Sequence, residues 1–327
     1  MDFLVQSGIE WITAIQSLGA WLEAPMRFFT FLGLEEFYFL ILPLLYWCIH
    51  AELGLRVGFI LIASTSLNSF FKLLFAAPRP YWVSERVVPF SHEESFGIPS
   101  GHAQNAVGVW GIMATFLRKR WAWMAAILLI FFIGFSRLYL GVHFVHDVLA
   151  GWLLGALILW AFLRLSDAVA AWFQSQSLAR QTLVAFLISL IIVALGWIGS
   201  MGLKGYVFPQ EWEVNALRAG PLPNPVSMEG FLTSGGSLFG LAFGAAWIRS
   251  RGGYQASGPV VKRALRYVIG LIGVLVLWMG LGQVFPDQAD FLSFVLRYVR
   301  YALVGFWITG GAPWLFFRFK IANPSKI

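Results

Sequence analysis

The sequence predicts an all-α fold, a polytopic bundle of transmembrane helices, on three observations. Successive apolar runs approach or reach the roughly 20 residues that a helix needs to cross a bilayer. Charged residues make up 12% of the 327-residue chain against 59% hydrophobic, about half the roughly 25% charged residues of a soluble domain. The cations that remain collect in alternate loops. The runs predict helices near 36–50, 54–76, 102–117, 121–140, 147–164, 181–203, 229–249, 264–284 and 294–317.

Along the chain, Leu4, Trp11, Ile15, Leu18 and Leu22 alternate with Gln6, Glu10, Thr13 and Glu23. That one-sided pattern predicts, within a region 1–35, an amphipathic helix lying in the membrane interface, with a further span as the alternative. Pro78 and Pro80 bend or end the helix begun at 54. The loop 77–98 that follows is polar, with Arg86, His92, Glu93 and Glu94. The next two helices flank Arg118-Lys119-Arg120, and a polar stretch with Asp167, Gln174, Ser175, Gln176 and Ser177 follows the third. This stretch predicts a cytoplasmic connector at 165–180, dividing a transmembrane core at 36–164 from a four-helix extension at 181–327. Pro209, Pro221, Pro223 and Pro225 make 204–228 an irregular outer loop.

Phe96 through Arg118 faintly echoes Phe231 through Arg249, each running from a Ser-Gly turn through a Gly-rich helix to a basic end. Gly236 stands where the first copy has a histidine. Small residues that let helices pack closely account for the echo better than duplication does.

The formal net charge of +7 invites a nucleic-acid reading, but its distribution opposes one. Arg118, Lys119, Arg120, Arg164, Arg180, Arg249, Arg251, Lys262, Arg263, Arg266, Arg318, Lys320 and Lys326 share one side if the helices alternate. The positive-inside rule makes that side cytoplasmic, with anionic headgroups as incidental neighbours. The expectation is a multi-pass protein of the plasma (inner) membrane. Cys48, the single cysteine, allows neither a disulfide framework nor a cysteine metal site. The N-terminus lacks the basic region and small-residue cleavage site of a signal peptide, so none is expected.

Three polar clusters interrupt the apolar sequence. Lys72 lies deep in an apolar run, where a lysine costs about 2.5–3.5 kcal/mol unless it snorkels or serves a site. Arg79 follows at a helix break, so the two cations can converge on one anion. Pro99-Ser100-Gly101-His102 opens the next helix. Serine suits a cap, glycine admits a close ligand, and the first-turn amides attract an anion. His102 projects there as a candidate proton donor to a leaving group. Ser136-Arg137 closes a helix, and His143 and Asp147 follow four residues apart. On one helical face the carboxylate would fix the imidazole tautomer and leave the other nitrogen free to attack phosphorus. His146 faces elsewhere and is expected to make an interfacial hydrogen bond. Helix parity puts all three clusters on the face opposite the basic loops. Residue chemistry by itself leaves phosphoryl hydrolysis and simple anion binding both open.

The pattern Lys72-x6-Arg79-Pro80, Pro99-Ser100-Gly101-His102 and Ser136-Arg137-x5-His143-x3-Asp147 resembles the signature of the type 2 phosphatidic acid phosphatase superfamily, which includes soluble vanadium haloperoxidases. The resemblance covers roughly 36–164 and belongs to the membrane lipid phosphatase branch, since an intramembrane setting suits lipid phosphates. It implies a metal-independent, two-step phosphatase without cofactor. His143 would be the nucleophile, Asp147 its orienting carboxylate, and His102 the acid and then the base. Lys72, Arg79, Arg137, Ser100 and the Gly101 amide would bind phosphate. The implied substrate is a lipid phosphate or pyrophosphate (polyprenyl pyrophosphate, phosphatidic acid or phosphatidylglycerol phosphate), cleaved through a phosphohistidine at the outer face. Alternatives are phosphotransfer from the same intermediate and a lipid-binding or transport protein with a phosphatase-like core. Arg297 and Arg300, near the outer end of the last helix, are expected to be interfacial anchors. The sequence implies no role for 181–327, no nucleic-acid partner and no particular oligomeric state.

Overall fold

The computed structural model describes residues 3–286 and 288–325. Lys326, counted among the basic tail residues, lies outside the described residues. In chain order the helices are α1 Phe3–Gln16, α2 Glu23–Phe31, α3 Glu35–Leu44, α4 Ala51–Phe75, α5 Pro80–Val83, α6 Gly101–Leu117, α7 Arg120–Tyr139 and α8 Val145–Ser175. They continue with α9 Leu178–Gly202, α10 Gln210–Ala216, α11 Glu229–Arg249, α12 Val260–Leu275, α13 Leu281–Val284, α14 Phe291–Phe306 and α15 Ala312–Arg318. No strand occurs among the described residues, only one isolated bridge between Tyr254 and Pro324.

Seven helical stretches are long and apolar enough to cross a membrane, and an eighth if Ala20–Phe31 and Glu35–Ile49 together make one span. The chain is a multi-pass membrane protein. Its helices turn apolar side chains outward, as lipid requires: Leu153, Leu157 and Trp160 on α8 are all more than half exposed. The 17 residues of α6 make it about 26 Å long at 1.5 Å per residue, so this expected span falls short of the roughly 30 Å hydrocarbon layer.

Several boundaries differ from the expected ones for local reasons. The predicted helix 147–164 instead runs on to Ser175, through most of the polar stretch at 165–180. No glycine or proline breaks that stretch, and Asp167 is held in an ion pair with Arg56, 2.6 Å apart. The helices predicted at 264–284 and 294–317 each contain a wide π-helical turn, at Val276–Gly280 and Trp307–Gly311. A third wide turn, Leu45–Ile49, ends the helix expected at 36–50. The predicted 229–249 helix coincides with α11.

Packing divides the chain into two compact units. One comprises Met1–Tyr38, Leu67–Trp160 and Trp197–Ser227, and the other Phe39–Ser66, Ala161–Gly196 and Met228–Ile327. In the first, Ala103, Leu138 and Val148 form a buried cluster against which Ile15, Phe135, Val145 and Trp152 pack. The amphipathic segment contributes its other face to this unit: Ile9 and Ile12 are buried, whereas Leu4, Trp11 and Leu18 are more than half exposed. Gln16 on α1 clamps the loop after α5, donating to the Val88 carbonyl at 2.8 Å and accepting from its N–H at 3.1 Å. The expected outer loop 204–228 contains α10, whose Asn215 donates to the Trp82 carbonyl at 3.1 Å.

In the second unit α11 lies against α14 at backbone range. A Cβ on Gly236 would stand 2.3 Å from the Tyr298 carbonyl oxygen, so the residue matching the histidine in the faint sequence echo is a helix contact. Arg266 is buried and donates to several carbonyls, among them Ala256 at 3.1 Å and Ile321 at 2.8 Å. Arg297 pairs with Glu229 at 2.6 Å, and Arg300 lies over the Tyr301 ring, 5.0 Å from its centroid.

Candidate active site

His143 lies in the short turn between α7 and α8, two residues before helical geometry begins at Val145. The two members of the histidine–aspartate pair therefore do not share a helical face, as their spacing had predicted, yet they meet. Asp147, in the first turn of α8, turns its carboxylate back over the preceding residues. Its Oδ2 accepts the Phe144 N–H at 2.9 Å and faces His143 Nδ1 at 3.2 Å. Both side chains are essentially inaccessible, at 1% exposure each.

The other imidazole nitrogen settles the tautomer. His143 Nε2 lies 3.3 Å from Arg79 Nη1, and a guanidinium can only donate. Nε2 therefore presents its lone pair, and Nδ1 carries the proton toward Asp147. Burial, reinforced by the charges of Arg79, Lys72 and Arg137, holds the His143 imidazole well below the usual histidine range. It is neutral at pH 7, with its free nitrogen against a fixed cation.

The cations come from three elements. α4 ends at Phe75, Ala76 adopts a left-handed φ of 45°, and Arg79 sits in extended backbone just before Pro80. This break carries the fully buried Arg79 side chain inward, where it donates to the carbonyls of Ser95 at 2.6 Å, Val142 at 2.8 Å and Phe96 at 3.1 Å. Lys72 converges on the same segment from α4, its Nζ donating to Ser95 Oγ at 2.7 Å. Arg137, near the end of α7, donates to the Thr30 hydroxyl of α2 and to the Glu93 carboxylate.

Ser100 precedes the first turn of α6 and is tied to the histidine turn by its N–H, which donates to the Asp147 carbonyl at 2.9 Å. Ser100 Oγ, His102 Nε2 and Arg137 Nε are buried without a hydrogen-bond partner among the described residues. Three orphaned polar atoms are costly and mark a place built for a polar ligand. Gly151 on α8 permits this closeness, since a Cβ there would stand 2.6 Å from the Ser100 carbonyl oxygen. The Gly101 α-carbon faces Asn68, whose Oδ1 would lie 3.0 Å from a Cβ. Asn68 in turn donates to the Pro99 carbonyl at 3.2 Å and to Gln104 Oε1 at 2.8 Å, holding the turn from behind. His102 packs beside Gly33, close enough that a Cβ there would stand 2.5 Å from His102 Cδ2.

All eight residues expected at the site thus lie on the converging ends of α4, α6, α7 and α8 and their connections. His146 meets the same carboxylate from its outer side, with Nε2 3.3 Å from Asp147 Oδ1, but its side chain is 42% exposed and its ring stacks on Phe144 at 5.1 Å. Four further residues take part that motif reading did not select, namely Thr30, Asn68, Ser95 and Glu93. Thr30 is 107 positions from its partner Arg137, and no local pattern announces it. Glu93 had a usable signal, a carboxylate in the loop joining two cation- and amide-bearing motifs. Its Oε2 lies 3.6 Å from Arg79 Nη2 while Oε1 pairs with Arg137. Burial alone would raise the Glu93 carboxyl, but Arg137 and then Arg79 outweigh it and hold the group well below the usual carboxylate range. Among the described residues no group of three or more His, Cys, Asp or Glu side chains is placed to share a metal ion.

Comparison with known proteins finds relatives of the chain. A family described as PAP2 superfamily matches residues 53–171, and one described as PAP2 superfamily phosphatase, transmembrane extension, matches residues 232–324. The second match falls in the part that motif spacing left unassigned. Phosphatidylglycerophosphatase B of Bacillus subtilis is 34% identical over 175 residues, covering 47% of this chain and 81% of its own. A crystal structure titled as the first transmembrane PAP2 type phosphatidylglycerolphosphate phosphatase, from the same species, is 29% identical with a TM-score of 0.44, covering 51% of this chain and 89% of its own. Human glucose-6-phosphatase 3 is 31% identical over 185 residues, covering 49% of this chain and 53% of its own, so the chain spans about half of that relative's length. The glucose-6-phosphatase catalytic subunit 1 of Haplochromis nubilus is 25% identical over 96% of each chain.

Proposed function

The chain belongs to the PAP2 superfamily, and on that premise we propose that it is a membrane phosphatase cleaving a lipid phosphate or pyrophosphate through a phosphohistidine. The observation that carries the reading is the His143 geometry: a neutral imidazole, its Nδ1–H on Asp147 and its Nε2 beside Arg79. In the first step Nε2 attacks phosphorus and the P–O bond to the alcohol or phosphate leaving group breaks. His102, protonated once the substrate's negative charge offsets the neighbouring cations, gives its proton to the departing oxygen, and Asp147 stabilises the cationic phosphoimidazole. In the second step His102 takes a proton from water, the hydroxide attacks phosphorus, and the P–N bond breaks to release phosphate. Lys72, Arg79, Arg137, Ser100 and the Gly101 amide hold the phosphoryl oxygens as charge shifts toward them. No divalent metal enters these steps.

The basic residues 118–120 lie at the opposite ends of α6 and α7 from the candidate site. With the positive-inside bias this supports a site on the non-cytoplasmic face of the plasma (inner) membrane. A phosphate at headgroup depth would meet the cations there while its lipid chains remain among the helices. The substrates considered are polyprenyl pyrophosphate, phosphatidic acid and phosphatidylglycerol phosphate.

A second reading, hydrolysis of a water-soluble sugar phosphate, is favoured by the similarity that runs along almost the whole chain to a glucose-6-phosphatase catalytic subunit. Phosphate release by purified, detergent-solubilised protein from those three lipids and from glucose 6-phosphate, each with and without EDTA, separates the two. Faster turnover of a lipid, unaffected by EDTA, supports the first reading. Preference for glucose 6-phosphate selects the second, and no release from any of them refutes both.

A further inference from the structure

Glu93 stands against the cations that a substrate phosphate needs. Its carboxylate pairs with Arg137 through one oxygen and approaches Arg79 at 3.6 Å through the other, with its side chain 20% exposed. Those two guanidiniums are the planar forks best suited to a tetrahedral anion, and a carboxylate uses the same donor directions. Carboxylate and phosphate cannot occupy them together.

The chain around Glu93 is held from outside the cluster, so the carboxylate is delivered there by its backbone. The Tyr81 hydroxyl lies 3.3 Å from the Glu93 N–H and 3.5 Å from its carbonyl oxygen. The next residue, Glu94, pairs with His92 at 2.9 Å and accepts the Asn224 N–H at 3.2 Å. Only the side chain has to swing for Arg79 and Arg137 to be released.

We propose that Glu93 is a displaceable counter-ion that competes with the substrate phosphate and with the product phosphate for Arg79 and Arg137, and so sets the affinity of the site for anions. The proposal rests on the reading that phosphate binds these two arginines. Its thermodynamic signature is specific. The work of displacing Glu93 is the same whichever anion arrives, so removing the carboxylate tightens every anion by one common factor. A carboxylate that stayed in place would instead repel a dianion more than a monoanion.

The test measures competitive inhibition of phosphate release by orthophosphate, a dianion at pH 8, and by dimethyl phosphate, a monoanion, in wild type, Glu93→Gln and Glu93→Asp. Glu93→Gln is expected to tighten both by a shared factor of about 10 or more, the change given by about 1.4 kcal/mol. Glu93→Asp keeps the charge on a shorter arm and is expected to fall between the two. Thermal unfolding serves as the second measurement: Glu93→Gln melts lower than wild type without phosphate and gains more from saturating orthophosphate. Unchanged or weaker inhibition in Glu93→Gln overturns the inference, as does tightening that differs between the dianion and the monoanion. If orthophosphate neither inhibits nor stabilises wild type and Glu93→Gln, the phosphate cradle itself fails. If it inhibits both equally, the cradle stands and only the role of Glu93 falls.

Discussion

Replacing Asp147 by asparagine removes one charge from the nucleophile's partner while keeping its shape. The amide oxygen can still accept the Phe144 N–H, now made at 2.9 Å, and in that orientation remains toward His143 Nδ1. The tautomer is therefore kept, and the stabilisation of the imidazole as it becomes cationic is what is lost. At the 3.2 Å separation of Nδ1 and Oδ2, opposite unit charges attract by about 5 kcal/mol at an effective dielectric near 20. The amide dipole retains part of this, leaving a loss of about 3–4 kcal/mol, or roughly 10²–10³-fold in kcat. Steady-state phosphate release checks it, with KM little changed because Asp147 makes no contact with the Arg137 side of the cradle. A loss in kcat smaller than about 10-fold, or an effect confined to KM, would refute the assignment of Asp147 as the charge behind the nucleophile.

The remaining predictions concern pH, the extension and topology. His143 titrates below its ordinary value because it is buried among cations, so its protonation at low pH marks the acid limb of kcat/KM. Arg79→Gln removes one repelling charge, makes the imidazolium easier to form, and is expected to move that limb to higher pH in a rate profile. Gly240→Val in α11 would put a Cβ 2.1 Å from the Ala302 carbonyl oxygen, so α11 and α14 must move apart, at about 1–3 kcal/mol. A fall of several degrees in the unfolding temperature is expected, whereas Gly202→Ala, with nothing within 4 Å of its Cβ, leaves it nearly unchanged. Cysteines introduced at 85, 86 and 88, all exposed positions, are expected to label from outside intact cells and those at 118–120 are not. Native Cys48 is buried and contributes little background.

Much of this architecture is legible in the sequence because lipid allows few alternatives. A backbone in hydrocarbon must satisfy its own hydrogen bonds, so apolar runs become helices, and α11 coincides with its predicted bounds. The ends of helices are less legible where polarity is a poor guide: Ser166, Asp167 and Gln174 look like a connector, yet α8 continues through them to Ser175. The wide turns at Leu45–Ile49 and Trp307–Gly311 lie beside Pro43 and Pro313, each of which removes a ladder N–H, whereas the one at Val276–Gly280 contains no proline, so local sequence marks two of the three. Within the candidate site, His102, His143 and Asp147 stand out since ionisable groups beside apolar runs are expensive. Thr30 does not, because its role exists only once α2 has packed near the end of α7. Glu93 sits in a loop where acidic residues are ordinary, and its pairing with two buried arginines emerges only from the fold.

The proposed chemistry turns on His143 Nε2 as the atom that takes the phosphoryl group. The most direct test is trapping by a denaturing alkaline quench with radiolabelled 4-nitrophenyl phosphate, whose leaving group departs without a proton from His102, using His102→Gln to slow hydrolysis of the intermediate, followed by peptide mapping. The predicted result is an acid-labile, base-stable label on the peptide containing His143, stronger in His102→Gln than in wild type and absent in His143→Ala. Label on another residue, or phosphate release that persists in a folded His143→Ala protein, would contradict it.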